Sequence, residues 1–162
     1  MQVKDILDPS RTFWGVRGKS KKRTLEHIAH YISKEVPSLD PIELFDNLVS
    51  REKLGSTGIG HGIAIPHCRI SHCDQTLGSL IYLQNAVDFD AIDGDPVDVI
   101  FVLIVPKEAT QKHLDLLGEL ATLFNDEEFR LQLRDSKNTA ELYQAFIEDH
   151  LEKSQDSASA SH

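Results

Sequence analysis

The sequence predicts an α/β protein: one domain built as a three-layer α/β/α sandwich, with a mixed sheet between helices. Three observations lead there. Amphipathic stretches of helical period alternate with short β-favourable runs, the pattern of layered α/β domains. The run Val97–Pro106 is almost continuously apolar and β-branched, as a central strand buried on both faces would be. With 162 residues, 40% hydrophobic and 27% charged, the chain fits a single globular domain that can bury a proper core. The domain is expected over residues 1–153. Residues 154–162 have no apolar periodicity and are expected to form a disordered tail.

Taken in order, Ser20 is placed to cap a helix over about Lys21–Val36, on which Leu25, Ile28, Ala29, Ile32 and Val36 share one face. His27 and His30 flank that stripe and read as rim residues. Pro37 stops the helix, and Asp40-Pro41-Ile42-Glu43 reads as N-cap, N1 proline and N3 glutamate of a second one, running to about Glu52. After a glycine-rich stretch, Ile63-Ala64-Ile65 is a short apolar strand that Pro66 ends, because proline has no N–H to give a ladder. Three further strand signals follow: Gly78–Gln84, then Val87–Gly94, alternating up to an Asp-Gly turn, then Val97–Pro106. Leu114, Leu117, Ala121 and Phe124 mark the inner face of a helix from about Gln111 to Phe124. Asp126–Arg134 is a short helix with acids at its start and arginine at its end, as the helix dipole favours. Thr139 is expected to cap a last helix, Ala140 to about Lys153, that buries Leu142, Phe146 and Leu151.

Charge and composition exclude several functions. A formal net charge of −9 argues against a nucleic-acid binder. No apolar run approaches the roughly 20 residues that span a bilayer, and the opening octet has no signal-peptide h-region. Two cysteines, Cys68 and Cys73, read as free thiols and not as a disulfide framework. A cytoplasmic protein without membrane insertion is expected. The charge is uneven: seven of the seventeen basic residues but only two of the twenty-six acids lie at or before Arg23, so the opening is about +5 and the rest about −14. The run Arg17-Gly-Lys-Ser-Lys-Lys-Arg23 offers a docking patch for an acidic partner, but a solvated helix start is the favoured reading.

The chemistry gathers between Arg51 and Cys68. Four of the nine glycines, at 55, 58, 60 and 62, surround the hydroxyls of Ser56 and Thr57. Such a loop lets a ligand approach the main chain, and its N–H groups can form a concave anion site, here expected from Ser56, Thr57, Gly58 and Gly60. A Walker P-loop is excluded, since no Gly-Lys-Ser/Thr follows, and Pro66 argues against the helix a dinucleotide fingerprint requires. Behind Pro66, His67 stands as a presented imidazole. The second helix delivers Arg51 to the loop, where its fork of donors suits a phosphoryl group, although an ordinary ion pair would also occupy it. His113 lies in the first turn of its helix, where N–H groups and the dipole favour anions. Cys68, His72 and Cys73 do not have the spacing of zinc knuckles, and the acids of Asp88–Asp98 read as turn and strand-edge residues. No metal or other cofactor is expected.

The stretch Gly55-Ser-Thr-Gly-Ile-Gly60, followed by Gly62-Ile-Ala-Ile-Pro-His67, resembles the active-site signature of the EIIA type 2 (fructose/mannitol-type) domains of the phosphotransferase system, most closely their stand-alone, nitrogen-regulatory branch. Asp88–Asp98 resembles the second recognisable block of that family, and the likeness covers roughly Ser20 to His150. It implies the same layered architecture. It also implies that His67 accepts a phosphoryl group at Nε2 from an HPr-like histidine phosphocarrier, with Arg51 and His113 beside it. Members of this branch usually have glycine in place of Cys68 and asparagine in place of His61, which leaves open whether either residue tunes the site, whether Cys68 makes it oxidation-sensitive, or whether both simply fit.

The resemblance implies a phosphotransferase component that is mainly regulatory, linked to nitrogen metabolism, with partners such as transporters or kinases that bind according to its phosphorylation state. Two other functions stay open. One is a sugar-pathway IIA subunit passing phosphate to a IIB protein. The other is a binding module that has lost phosphorylation.

Overall fold

A computed structural model describes residues 2–71 and 73–148. The order of elements is α1 (Val3–Ile6), a 3-10 turn (Pro9–Arg11), β1 (Thr12–Val16), α2 (Lys21–Glu35), α3 (Pro41–Leu54), β2 (Gly58–Gly60), β3 (Ile63–Ala64), β4 (His67–Ile70), β5 (Leu77–Val87), β6 (Val97–Pro106), α4 (Thr110–Phe124) and α5 (Glu127–Arg134). A further helix, α6, covers 139–148 as far as the described residues reach. The expected end of that helix, Leu151 and the 154–162 tail lie outside the described residues.

The sheet is mixed and follows the order β1-β5-β6-β3-β2, with β4 also on β6. β6 is its axis: antiparallel to β5 on one side, parallel to β3 and then β4 on the other. Its side chains alternate between two cores. Ile100, Val102 and Ile104 pack under α2 and α3 with Leu25, Ile28, Ile32, Leu44 and Leu48. Val99, Phe101, Leu103 and Val105 pack on the other face with Leu116 and Leu120 of α4, Phe129 and Leu133 of α5, and Leu142 and Phe146 of α6. That alternation is why the run has no polar face. Each fully buried Val, Leu, Ile or Phe contributes roughly 1.5–3 kcal/mol of transfer free energy.

The caps are those of ordinary helix starts. Ser20 Oγ accepts from Arg23 N–H at 3.2 Å, and Asp40 Oδ2 accepts from Glu43 N–H at 3.2 Å. Asp126 Oδ1 accepts from Glu128 N–H at 2.9 Å. The last helix starts one residue earlier than expected, with Asn138 Oδ1 accepting from Glu141 N–H at 2.8 Å in place of Thr139.

Four other expectations are corrected. The alternating segment Val87–Gly94 is not a strand, because β5 ends at Val87. Beyond it the aspartates turn the chain: Asp88 accepts from Asp90 N–H at 2.9 Å, Asp93 accepts from Asp95 N–H at 3.1 Å, and Gly94 N–H closes on Ala91 O at 2.9 Å. Short acidic side chains compete with the ladder for backbone N–H groups and win here. Second, Pro66 interrupts β3 and β4 without ending the strand path, since its carbonyl still accepts from Leu103 N–H at 2.9 Å. Third, the inner face of α4 is Leu116, Leu120, Leu123 and Phe124, while Ala121 is exposed and Leu114 is 59% exposed. Fourth, in the basic run, Lys22 and Arg23 are solvated as expected but Lys21 is not: its Nζ lies 2.7 Å from the Glu52 carboxylate. The short α1 and the edge strand β1 carry no expectation, though Thr12-Phe-Trp-Gly-Val16 is β-favourable.

Candidate active site

β4 begins at His67 because the proline before it offers no N–H, and its main chain is held at that point to β6. The ring is fixed from both nitrogens. Nδ1 lies 2.8 Å from the carbonyl oxygen of Ile65, and Nε2 lies 3.0 Å from Nε of Arg51. A carbonyl only accepts, and a guanidinium Nε–H only donates. Nδ1 therefore carries the proton, and Nε2 presents its lone pair. Arg51 reaches from the last turn of α3, and its Nη1 donates to Gly55 O at 2.8 Å. His113, in the first turn of α4, sets its ring edge-on to that of His67, centroids 5.0 Å apart at 83°. Three residues far apart in sequence thus meet at one place, as their types suggest.

Around them lies an open pocket of about 640 Å³. Its charged lining is Arg51, Arg69 and Lys107, and no carboxylate lines it among the described residues. In a chain of net charge −9 this is a locally cationic hollow suited to an anion. The lip is apolar: Leu54 is 84% exposed and Leu114 is 59% exposed, with Leu117 behind it. The missed face of α4 has its explanation here, because Leu114 borders this pocket and Leu117 stands between the pocket and the core it packs against.

The glycine loop is not an open cradle on this pocket. Ser56, Thr57, Gly58 and Gly60 are not among its lining residues. Ser56 Oγ donates to Phe89 O at 2.5 Å and accepts from Gly58 N–H at 3.0 Å. Thr57 gives both its hydroxyl and its N–H to the Glu52 carboxylate. Those donors are taken, so the loop acts as a brace. Gly58 is needed there for space, since an added Cβ would lie 2.9 Å from Ala91 Cβ. Glu52 is the residue sequence reasoning missed; an acid next to Arg51 gives no sign of being buried until the fold brings Lys21 to it.

Burial first, and then the Arg51 guanidinium, lower the pKa of His67 against the opposing pull of the Ile65 bond and the Glu52 charge. Burial and the neighbouring His67, Arg69 and Arg51 lower that of His113. Both rings are therefore neutral at pH 7. Since their folded values lie below the unfolded one of about 6.5, any stability they contribute is complete above that pH and is lost as pH falls through the window beneath it. Ring C–H resonances followed by NMR should titrate with midpoints below about 6.5 for both histidines; a midpoint above that value would contradict burial as the main influence.

Cys68 and His61 have separate explanations. Cys68 sits behind His67, and burial pushes its thiol up to about 12. A thiol held in this way offers little of the reactive thiolate at neutral pH. Iodoacetamide at neutral pH should leave Cys68 unmodified in the native protein and label it in denaturant, as peptide mass mapping would show. His61 lies outside the pocket, in a turn at φ 59°, with its N–H on Asp93 Oδ2 at 2.9 Å and its carbonyl accepting from Arg134 Nη2 at 2.6 Å. Histidine, like asparagine, is enriched at positive φ, so the residue suits the backbone there.

Comparisons with known proteins bear on the family and the fold. The family described as "Phosphoenolpyruvate-dependent sugar phosphotransferase system, EIIA 2" matches residues 5–149. A nitrogen regulatory protein of Pseudomonas aeruginosa is 47% identical over 148 residues, covering 91% of this chain and 96% of that protein. The crystal structure of nitrogen regulatory protein IIA-Ntr from Neisseria meningitidis superposes with a TM-score of 0.83 at 38% identity, covering 89% of this chain and 98% of that one. That of IIA mannitol from Escherichia coli gives 0.70 at 18% identity over 86% and 97%, a likeness of fold. No helix among the described residues is long and apolar enough to cross a membrane. The chain belongs to the EIIA type 2 family of the phosphoenolpyruvate-dependent sugar phosphotransferase system.

Proposed function

We propose that this protein is a nitrogen-related regulatory IIA component, whose His67 accepts a phosphoryl group from an HPr-like phosphohistidine carrier. The observation that carries the reading is the orientation of the His67 ring, with Nδ1 tied to Ile65 O and the Nε2 lone pair facing Arg51. The reaction follows from it. The P–N bond to the donor histidine breaks as one forms to His67 Nε2, in line, with charge spread over the phosphoryl oxygens. No proton has to leave Nε2. The ring becomes cationic, and its Nδ1–H bond to Ile65 O strengthens. Arg51 gives up Nε2 and turns its fork to the phosphoryl oxygens, with Arg69, Lys107 and His113 as the nearby charge and donors. The exposed Leu54 and Leu114 supply an apolar contact for the donor.

The regulatory half of the reading is supported by the likeness to nitrogen regulatory proteins. A phosphoryl group adds roughly −1.5 to −2 of charge beside an apolar lip, enough to change which transporter or kinase partners bind. Intact mass should show one added phosphoryl group after incubation with phosphoenolpyruvate, enzyme I and the phosphocarrier at neutral or alkaline pH. The same treatment should add none to His67→Ala. An unmodified wild type, with a control acceptor working, would sink the relay.

A further inference from the structure

One partly buried ion pair lies just behind the site. The Glu52 side chain is 6% exposed, and its carboxylate is held by Lys21 Nζ at 2.7 Å. The same carboxylate takes the hydroxyl of Thr57 and, at 3.3 Å, its N–H. From Thr57 the bonds run on to the reacting ring. Ile65 N–H donates to Thr57 O at 3.0 Å, and His67 Nδ1–H donates to Ile65 O at 2.8 Å. A second arm starts from the same residue: Gly55 N–H donates to Glu52 O at 3.2 Å, and Gly55 O accepts from Arg51 Nη1 at 2.8 Å. Only the His67 arm starts from the Glu52 carboxylate; the Arg51 arm runs through the main-chain carbonyl of Glu52, the bond that closes the end of α3.

We propose that Lys21, Glu52 and Thr57 are positioning residues for phosphoryl transfer, a charged clamp that sets the tautomer and orientation of His67 through Thr57 and Ile65. The inference rests on the reading of His67 as phosphoacceptor. A buried ion pair is a weak source of stability, because desolvating two charges cancels most of their attraction. This one does something an apolar pair would not: it takes both donors of a single loop residue, Thr57, whose carbonyl accepts from Ile65 N–H. Lys21 is held in turn, with Nζ donating to Phe89 O at 3.2 Å and lying 5.5 Å from the centre of the Phe89 ring. Helix α2 is thereby tied to the loop on which the site hangs. The chain of bonds acts by position: Ile65 N–H and Ile65 O belong to different peptide units, so the bond to Thr57 O fixes where Ile65 sits and hence where its carbonyl points.

The test is the side-chain ¹H–¹⁵N spectrum of unphosphorylated, ¹⁵N-labelled protein, which reports which His67 nitrogen bears the proton. Wild type should show Nδ1 protonated and Nε2 free. Thr57→Val, which keeps the shape and removes the hydroxyl, should give a mixture of tautomers. It should also lower kcat for phosphoryl transfer on the order of tenfold with KM for the phosphocarrier unchanged. Thr57→Ser should restore the wild-type spectrum. Should Thr57→Val fail to fold, Glu52→Gln decides by the same spectrum, since it keeps an acceptor and removes the charge. A wild-type tautomer in the folded variant, even with a lowered Tm, would show the clamp to be purely structural and overturn the proposal. Failure of the wild type to accept phosphate would instead strike the phosphoacceptor reading, and the spectra would still report on the clamp.

Discussion

Replacing Arg51 by methionine should slow phosphoryl transfer onto His67 about a hundredfold, the size of effect seen when one charge-stabilising donor is removed from a transition state. Two effects oppose each other here. In the resting protein Arg51 Nε–H occupies the Nε2 lone pair at 3.0 Å, and releasing it frees the nucleophile by the worth of one charge-assisted hydrogen bond, about 1.5–3 kcal/mol. Against that stand the loss of a fork that matches phosphoryl oxygens and the loss of a positive charge that holds the His67 pKa down. Removing the charge makes the ring easier to protonate, which takes nucleophile away near neutral pH. The fork acts on the transition state and the lone-pair contact only on the ground state, so the net effect is a slower reaction. Rapid-quench single turnover from the phosphorylated carrier measures the rate, and an NMR titration should show the His67 midpoint raised. A rate equal to wild type would leave Arg51 a surface residue that merely covers the histidine.

Phe146→Ala should cost about 4 kcal/mol of stability, in the range for a buried phenylalanine reduced to alanine. The ring is fully buried and stacks on Phe101 of the central strand at 5.4 Å, with Phe129 at 5.5 Å and Phe124 at 6.4 Å. It joins α6 to the sheet and to both of the preceding helices. A protein of this size should lose roughly 10 °C in Tm. Because α6 lies across the sheet from α2 and α3, the tautomer of His67 should be unchanged in the folded fraction. Denaturant unfolding followed by fluorescence and far-UV circular dichroism gives the free energy, and a loss under about 1 kcal/mol would mean that α6 is only loosely docked.

Much of this architecture was legible because the signals were local. Ser20 and Asp40 with Pro41 announce helix starts through capping chemistry that needs no knowledge of the fold. Val97–Pro106 could be read as central because a run so nearly apolar, with Asp98 its one polar side chain, fits a strand buried on both faces. The types of His67, Arg51 and His113 marked them as a candidate phosphoryl site, and the long glycine and Ile-Pro-His signature pointed to the family. The misread segments were those in which two local rules compete. Val87–Gly94 alternates like a strand, yet its aspartates capture their own backbone. On α4 two apolar stripes run side by side, and the sequence could not say which faces the sheet and which borders the pocket.

The sequence by itself determined the layers, most helix starts and the central strand, because periodicity and capping act over a few residues; that His67, Arg51 and His113 stand together was implied by the resemblance to the family. Only the tertiary structure decided that the glycine loop is a brace and not a cradle. Its donors are claimed by Glu52, Ser56 and Phe89, and which partner claims a donor depends on chains that meet through space. The same holds for the tautomer of His67, set by a carbonyl two residues away on one side and by an arginine sixteen residues away on the other. It holds too for Lys21, read from the run around it as solvated and turned inward by a buried carboxylate from another helix.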